Sequence, residues 1–147
     1  MTGTPASEMR IKADLRAPEK LRDFVKGILD RTPLGEEDRF KVELSLHEIC
    51  INIVLHAYPG RKGRLVVRSW AEGGRITFEF MDEGIAFDPG AAAPPDLGEK
   101  LRSGRKGGYG IFLYRTLMDG FEYRREGGKN ILVVFKRVPE TPAAPSV

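Results

Sequence analysis

Three polar residues, Glu48, Asn52 and His56, recur at intervals of four along an apolar stretch of the chain. If that stretch is a helix, their side chains lie along one side of it. The surrounding apolar residues are dense enough for a buried helix: Leu44, Leu46, Ile49, Ile51, Ile53, Val54 and Leu55. Because a buried carboxylate or amide is costly without a partner, the line predicts a cavity, a metal ion or a ligand beside the helix. The alternative is an amphipathic helix whose wet face happens to carry these residues.

A carboxylate also emerges at the end of a predicted strand. Ile76, Phe78 and Phe80 alternate with other residues and so point to one face, and Asp82 follows on that same face. A carboxylate on a buried strand face is more typical of a functional group than of a structural one. Asp82 is therefore a candidate ligand-binding residue.

A glycine-rich turn precedes another apolar helical pattern. The turn comprises Gly107, Gly108, Tyr109 and Gly110. Such a turn can present backbone N–H groups and the positive end of a helix dipole to a phosphate, although an ordinary tight turn is the alternative. Arg105 and Lys106 just before it favour an anion site. An Asn amide oxygen near a carboxylate would suit Mg²⁺, which prefers hard oxygen ligands.

Periodicity predicts the elements that must position these groups. We expect a strand at 9–15, helices at 18–31, 36–57 and 111–118, one hairpin at 64–70 and 75–82, and a second hairpin at 121–125 and 131–136. Residues 83–107 show no convincing periodicity, which is typical of a functional lid. The sum is an α/β two-layer (α+β) sandwich with a mixed, mostly antiparallel sheet of about five strands and three helices on one face.

Length and composition restrict the class of protein. At 147 residues, 41% of them hydrophobic and 31% charged, the chain predicts one soluble globular domain over 9–138, with a flexible lead at 1–8 and a disordered tail at 139–147. No apolar run is long enough for a membrane span and no signal peptide is evident, so a cytoplasmic protein is expected. Cys50 is interpreted as a core residue, and a net charge of +3 is too small to indicate nucleic-acid binding.

Three segments in order resemble the motifs of the GHKL (Bergerat-fold) ATPases. Glu48-x-x-x-Asn52-x-x-x-His56-Ala57-Tyr58 resembles the N-box, Asp82-Glu-Gly84-x-x-Phe87-Asp88-Pro89 the G1 box, and Gly108-x-Gly110-Ile-Phe-Leu113 the G2 box. The resemblance extends over about 9–136. Within the superfamily it is strongest to the anti-sigma-factor serine kinases of the RsbW/SpoIIAB type. The chain also has no room for the separate dimerisation and phosphoacceptor helices of sensor histidine kinases.

The resemblance implies ATP and Mg²⁺ as ligands. Asn52 would coordinate Mg²⁺, Asp82 would accept the adenine amino group, and Gly84 would let the backbone approach the base. The glycine turn would hold phosphate, and Arg105 or Lys106 would reach the terminal phosphate. The implied nucleotide-binding set is Asn52, Asp82, Gly84, Ala86, Phe87, Arg105, Lys106, Gly107, Gly108, Tyr109, Gly110 and Ile111.

The same resemblance implies a catalytic role for Glu48, one turn before Asn52. Its carboxylate would orient and deprotonate a serine or threonine hydroxyl of a protein substrate. His56 would be a packed or capping residue. His47, about 100° round the helix from Glu48, would be a bystander.

Two positions depart from the superfamily pattern. Ala86 stands where many members have a glycine, although this kinase group often lacks it. Asn130 follows Gly128-Lys129 where the group usually has a threonine that helps to hold adenine, and its amide is the candidate substitute.

Three functions are therefore compared. The first is an ATP-dependent serine/threonine kinase that acts as an anti-sigma factor, binds a sigma factor, phosphorylates an antagonist with a STAS domain and forms a homodimer. The second is a non-catalytic module in which ATP switches the affinity for a partner. The third, a nucleic-acid binder that uses the basic lid, is disfavoured because no aromatic platform accompanies the charges.

Overall fold

The computed structural model describes residues 7–86 and 114–139. Its elements are β1 (Ser7–Lys12), α1 (Ala17–Leu29), α2 (Glu36–His56), β2 (Arg64–Glu72), β3 (Arg75–Asp82), β4 (Gly120–Glu126) and β5 (Lys129–Arg137). Residues 114–117 are helical and form the described part of the third predicted helix. β1 begins at Ser7, two residues before the predicted start, and ends at Lys12, and half-buried and exposed residues alternate along it.

The two long helices follow local signals. Pro18 lies in the first turn of α1, and Leu21, Val25 and Ile28 form its buried face. α2 starts after Gly35, whose backbone is extended, and its first turn carries three acidic residues, which the helix dipole favours. No helix within the described ranges combines the length and hydropathy of a membrane span.

Both predicted hairpins are present, and each turns on a pair of glycines. Gly73 and Gly74 connect β2 to β3, and Gly127 and Gly128 connect β4 to β5. All four have positive φ values between 57° and 77°, which two-residue hairpin turns of the primed type require and which side chains disfavour.

The five strands form one sheet in the order β1-β2-β3-β5-β4, and every pairing is antiparallel. The prediction of a mixed sheet was therefore wrong in this respect among the described strands. A single crossover helix would make two strands parallel, but two consecutive helices separate β1 from β2 and return the chain in the opposite direction. The α/β two-layer class is confirmed.

The helices cover one face of this sheet and enclose the core. Buried side chains from both layers form it: Leu21, Val25, Leu29, Val42, Leu46, Ile49, Leu65, Val67, Phe78, Phe80, Tyr114 and Val134. On this covered face, strand register sets Asp82 opposite Leu65 on one side and opposite Asn130 on the other, and Asn130 opposite Arg125. A row of polar side chains thus crosses β3, β5 and β4 at one end of the sheet.

Candidate functional site

The polar line on α2 has two half-buried members, Glu48 and Asn52, about 6 Å apart along the helix axis. Within residues 7–86 and 114–139, neither side chain forms a hydrogen bond or an ion pair. His56 is exposed in the last turn of α2 and is not packed, and His47 is exposed as well. Glu48 and Asn52 are thus the two members of the line that a ligand could engage from a partly enclosed position.

Asp82 lies on the covered face of the sheet, as the alternation in β3 predicted, and only 6% of it is exposed. Its Oδ1 accepts hydrogen bonds from the Gly84 backbone N–H (2.8 Å) and from the Asn130 amide Nδ2 (2.9 Å). Both bonds from described residues end on Oδ1. The second oxygen, Oδ2, accepts none from that part of the chain, and an acceptor for a ligand N–H is therefore available at the end of the central strand, β3.

Gly84 is in close contact with the end of α2. A Cβ at position 84 would overlap the carbonyl oxygen of Ala57 and lie 2.6 Å from the Ala57 Cβ. The resemblance implied that Gly84 lets the backbone approach the base of a nucleotide. The structure adds a second reason for glycine, since only a residue without a side chain lets the segment after β3 lie against the helix terminus.

The segment 83–85 has its three backbone N–H groups bonded within the protein. The Glu83 N–H donates to the Tyr58 hydroxyl (2.7 Å) and the Gly84 N–H donates to Asp82. The Ile85 N–H donates to the Ala57 carbonyl (2.9 Å). Burial raises the pKa of the Tyr58 phenol, which keeps this acceptor protonated.

The three carbonyl groups of the same segment are bonded as well. The Glu83 carbonyl accepts from Arg61 Nη2 (2.9 Å), and the Gly84 carbonyl accepts from Arg125 Nη1 (2.9 Å). The Ile85 carbonyl accepts from Asn130 Nδ2 (2.7 Å). Since all six backbone polar groups of 83–85 have protein partners, the loop that carries the candidate binding residues is held from both sides.

Asn130 has no free hydrogen-bonding capacity. Its amide nitrogen donates both protons, to Asp82 and to the Ile85 carbonyl, and its Oδ1 accepts from the Tyr123 hydroxyl (2.6 Å) and from Arg125 Nη1 (3.0 Å). No position of Asn130 is therefore left for direct contact with adenine, and its amide could take the place of the threonine only by supporting Asp82. Protein groups occupy all four positions at which Asn130 could bind a ligand.

Several predicted site residues lie outside the described ranges. They are Phe87, Arg105, Lys106, Gly107, Gly108, Tyr109, Gly110 and Ile111. Ala86, the departure in the G1 box, is described and exposed.

The donor groups that are described fit the ligands that the resemblance implied. The Asn52 amide oxygen is a hard donor of the kind that Mg²⁺ shares with phosphate oxygens. The same ranges contain no cluster of three His, Cys, Asp or Glu side chains that could hold a metal. A cation here would depend on Asn52 together with ligand oxygens.

Sequence reasoning missed the contacts that fix this site. The segment 83–85 is held by Tyr58, Arg61 and Arg125. None of these three residues belongs to the polar line on α2 or to the alternating positions of β3, which are the patterns that indicated the candidate residues. A usable signal existed for one of them. The β4–β5 hairpin, counted in register, places Arg125 opposite Asn130, whereas the pairing of Asn130 with Asp82 joins strands that are not consecutive in the chain.

Comparisons with known proteins identify related sequences. The profile of the family described as histidine kinase-like ATPase domain matches residues 11–136. A serine-protein kinase RsbW of Bacillus cereus is 26% identical over 130 residues, which cover 86% of this chain and 81% of that protein. An RsbW of Bacillus anthracis is 25% identical over the same shares of the two chains.

A solved structure shares the fold. It contains the RsbU and RsbW domains of a protein from Mycobacterium tuberculosis, with a TM-score of 0.63 and 17% identity. The similarity covers 92% of this chain but only 33% of the other, so the present chain spans about a third of its length.

Proposed function

Because the chain belongs to the histidine kinase-like ATPase domain family, we propose that it binds ATP with Mg²⁺ and phosphorylates a serine or threonine of a protein. By the same proposal its substrate is an anti-sigma-factor antagonist with a STAS domain, and it also binds a sigma factor as a cytoplasmic homodimer. The serine-protein kinases RsbW among its relatives support this assignment.

One observation carries the nucleotide part of the proposal. Asp82 is buried, its Oδ1 is bonded twice within the protein, and its Oδ2 remains an acceptor at the end of β3. An acceptor in a rigid, partly dry setting favours a base with an exocyclic amino group. Asn52 on α2 would hold Mg²⁺, which would neutralise charge on the phosphates.

The catalytic part of the proposal depends on Glu48. Its carboxylate lies one turn from Asn52, half-buried, on the same side of α2. A carboxylate one helical turn from the residue that would hold the metal could accept the proton of an attacking hydroxyl. Phosphoryl transfer otherwise needs mainly positioning and charge neutralisation.

The test compares Glu48→Gln with the wild type and with Glu37→Gln, a matched control at an exposed position of the same helix. Phosphate transfer from labelled Mg-ATP to a STAS-domain protein is measured alongside ATP affinity. Glu48→Gln should lower the transfer rate by about 100-fold or more, while ATP affinity changes little, because it removes the proton acceptor alone. Glu37→Gln should behave as the wild type.

Two outcomes would contradict parts of the proposal. Full transfer by Glu48→Gln would remove Glu48 from the catalytic role. ATP binding without transfer to any STAS-domain protein would instead favour the non-catalytic module, in which Asn52→Ala abolishes partner switching and Glu48→Gln has no effect.

A further inference from the structure

Asn130 is placed to control Asp82 without contacting a ligand itself. A carboxylate rotates easily about its last torsion angle, whose energy wells are broad. In this protein the Oδ1 of Asp82 is bound by two donors from different directions, the Gly84 N–H at 2.8 Å and Asn130 Nδ2 at 2.9 Å. The two bonds restrain Oδ1, so Oδ2 is the carboxylate oxygen that has no donor among the described residues.

The orientation of the Asn130 amide follows from its partners. Arg125 can only donate, so it must face the amide oxygen, at 3.0 Å. The Ile85 carbonyl can only accept, so it must face the amide nitrogen, at 2.7 Å. The nitrogen is therefore directed toward Asp82 whatever the protein binds.

Arg125 links this amide to the loop. The same Nη1 that donates to Asn130 also donates to the Gly84 carbonyl at 2.9 Å. Arg125 lies on β4 at the sheet edge, in the register position opposite Asn130. The exposed Arg125 side chain thus holds both groups that donate to Asp82: it bonds to the Asn130 amide directly, and it holds the Gly84 N–H through the carbonyl of the same residue.

We propose that Asn130, oriented by Arg125, is a positioning residue that directs the free oxygen of Asp82 toward the exocyclic amino group of adenine and so sets the preference for that base. The inference rests on the proposed nucleotide site but not on phosphate transfer. It goes beyond that site by assigning base selectivity to residues that do not touch the nucleotide.

The experiment measures equilibrium binding of ATP and of purine riboside triphosphate, which lacks only the exocyclic amino group. The wild type should prefer ATP by about tenfold or more, the equivalent of one hydrogen bond to a charged group. In Asn130→Leu the ratio of the two affinities should fall to about threefold or less, mainly because ATP binds more weakly. Arg125→Gln should reduce it in the same direction.

Arg124→Gln is the matched control, because Arg124 is the preceding residue of β4, points to the opposite face and pairs with Glu126. It should keep the wild-type preference. Circular dichroism confirms that each variant is folded. If Asn130→Leu does not fold, Arg125→Gln decides: a lower preference for ATP supports the inference, and an unchanged preference overturns it.

An unchanged preference in a folded Asn130→Leu would overturn the inference. Loss of both triphosphates would overturn it too, since Asn130 would then support the pocket as a whole and not the recognition of the amino group. If the wild type binds ATP and either of these two results is obtained, the role of Asn130 fails but the proposed nucleotide site still stands. If the wild type binds neither triphosphate, the proposed function fails first.

Discussion

At the scale of single residues, Gly84 shows how one position can be determined by its surroundings. Its neighbours are the buried carboxylate of Asp82 and the terminal carbonyl of α2, and both lie close to its backbone. The motif Asp-x-Gly is visible in the sequence, but the reason for its glycine is not, because Ala57 is distant along the chain. The same limit applies to Asn130, whose departure from the family was visible and whose four partners were not.

We predict that Gly84→Ala lowers the free energy of unfolding by about 1–3 kcal/mol, because the new methyl group meets backbone atoms of Ala57 that cannot move aside easily. Gly27→Ala is the control. Gly27 is exposed within α1 and a Cβ there has open space, so this change should stabilise the protein by about 0.5–1 kcal/mol. Urea unfolding followed by circular dichroism measures both. If Gly84→Ala were as stable as the wild type, the residues at the end of α2 would have to move aside for the new methyl group at little cost.

At the scale of elements, α2 was the most predictable part of the chain and also the part that organises the site. Its acidic first turn and the proline after its last turn fixed both ends to within a residue. β1 was less predictable, because alternation alone does not show where strand pairing stops. Pairing with β2 ends at Lys12, and the three residues added by the pattern fall in the turn before α1.

The end of α2 is joined to β3 through Tyr58. Its hydroxyl donates to the Arg64 carbonyl at 2.5 Å and accepts from the Glu83 N–H at 2.7 Å. We predict that Tyr58→Phe lowers the free energy of unfolding by about 1 kcal/mol at pH 8, since two backbone groups lose their partner.

The same variant has a pH signature. Burial raises the pKa of Tyr58 above its ordinary value of 10.0, so the folded protein retains the phenol proton more tightly than the unfolded chain. The contribution of this hydroxyl to the free energy of unfolding is therefore fully present below the unfolded-state pKa of 10.0, and it is lost as the pH rises from there through the higher folded-state pKa. The difference in the free energy of unfolding between the wild type and Tyr58→Phe, measured by urea titration, should therefore be smaller at pH 10.5 than at pH 8. A constant difference would contradict the role of the hydroxyl.

At the scale of the whole molecule, the two-layer class and both hairpins followed from the sequence, whereas the strand order did not. Hairpin signals are local, but the insertion of β5 between β3 and β4 joins strands that a long segment separates. The expected lid and phosphate turn lie outside the described ranges and stay predictions. The candidate site could be named from sequence only as separate motifs on α2 and β3.

Cys50 offers a test of the two-layer core. It is fully buried on α2, and burial raises the pKa of its thiol to about 12. At pH 8 only about one thiol in ten thousand would be ionised, so reaction with an aromatic disulfide reagent should be at least about 100-fold slower in the folded protein than in urea. Equal rates in the two states would mean that α2 does not cover the sheet as described.

β5 is the last of the described strands, yet it lies inside the sheet, between β3 and β4, and it supplies Asn130 to Asp82. During synthesis, a nascent chain that has left the ribosome only as far as β4 has no strand to place between β3 and β4. Asp82 has no Asn130 donor until β5 follows. Under the proposed function, a nascent chain that ends before β5 should therefore bind ATP more weakly than a chain that includes it.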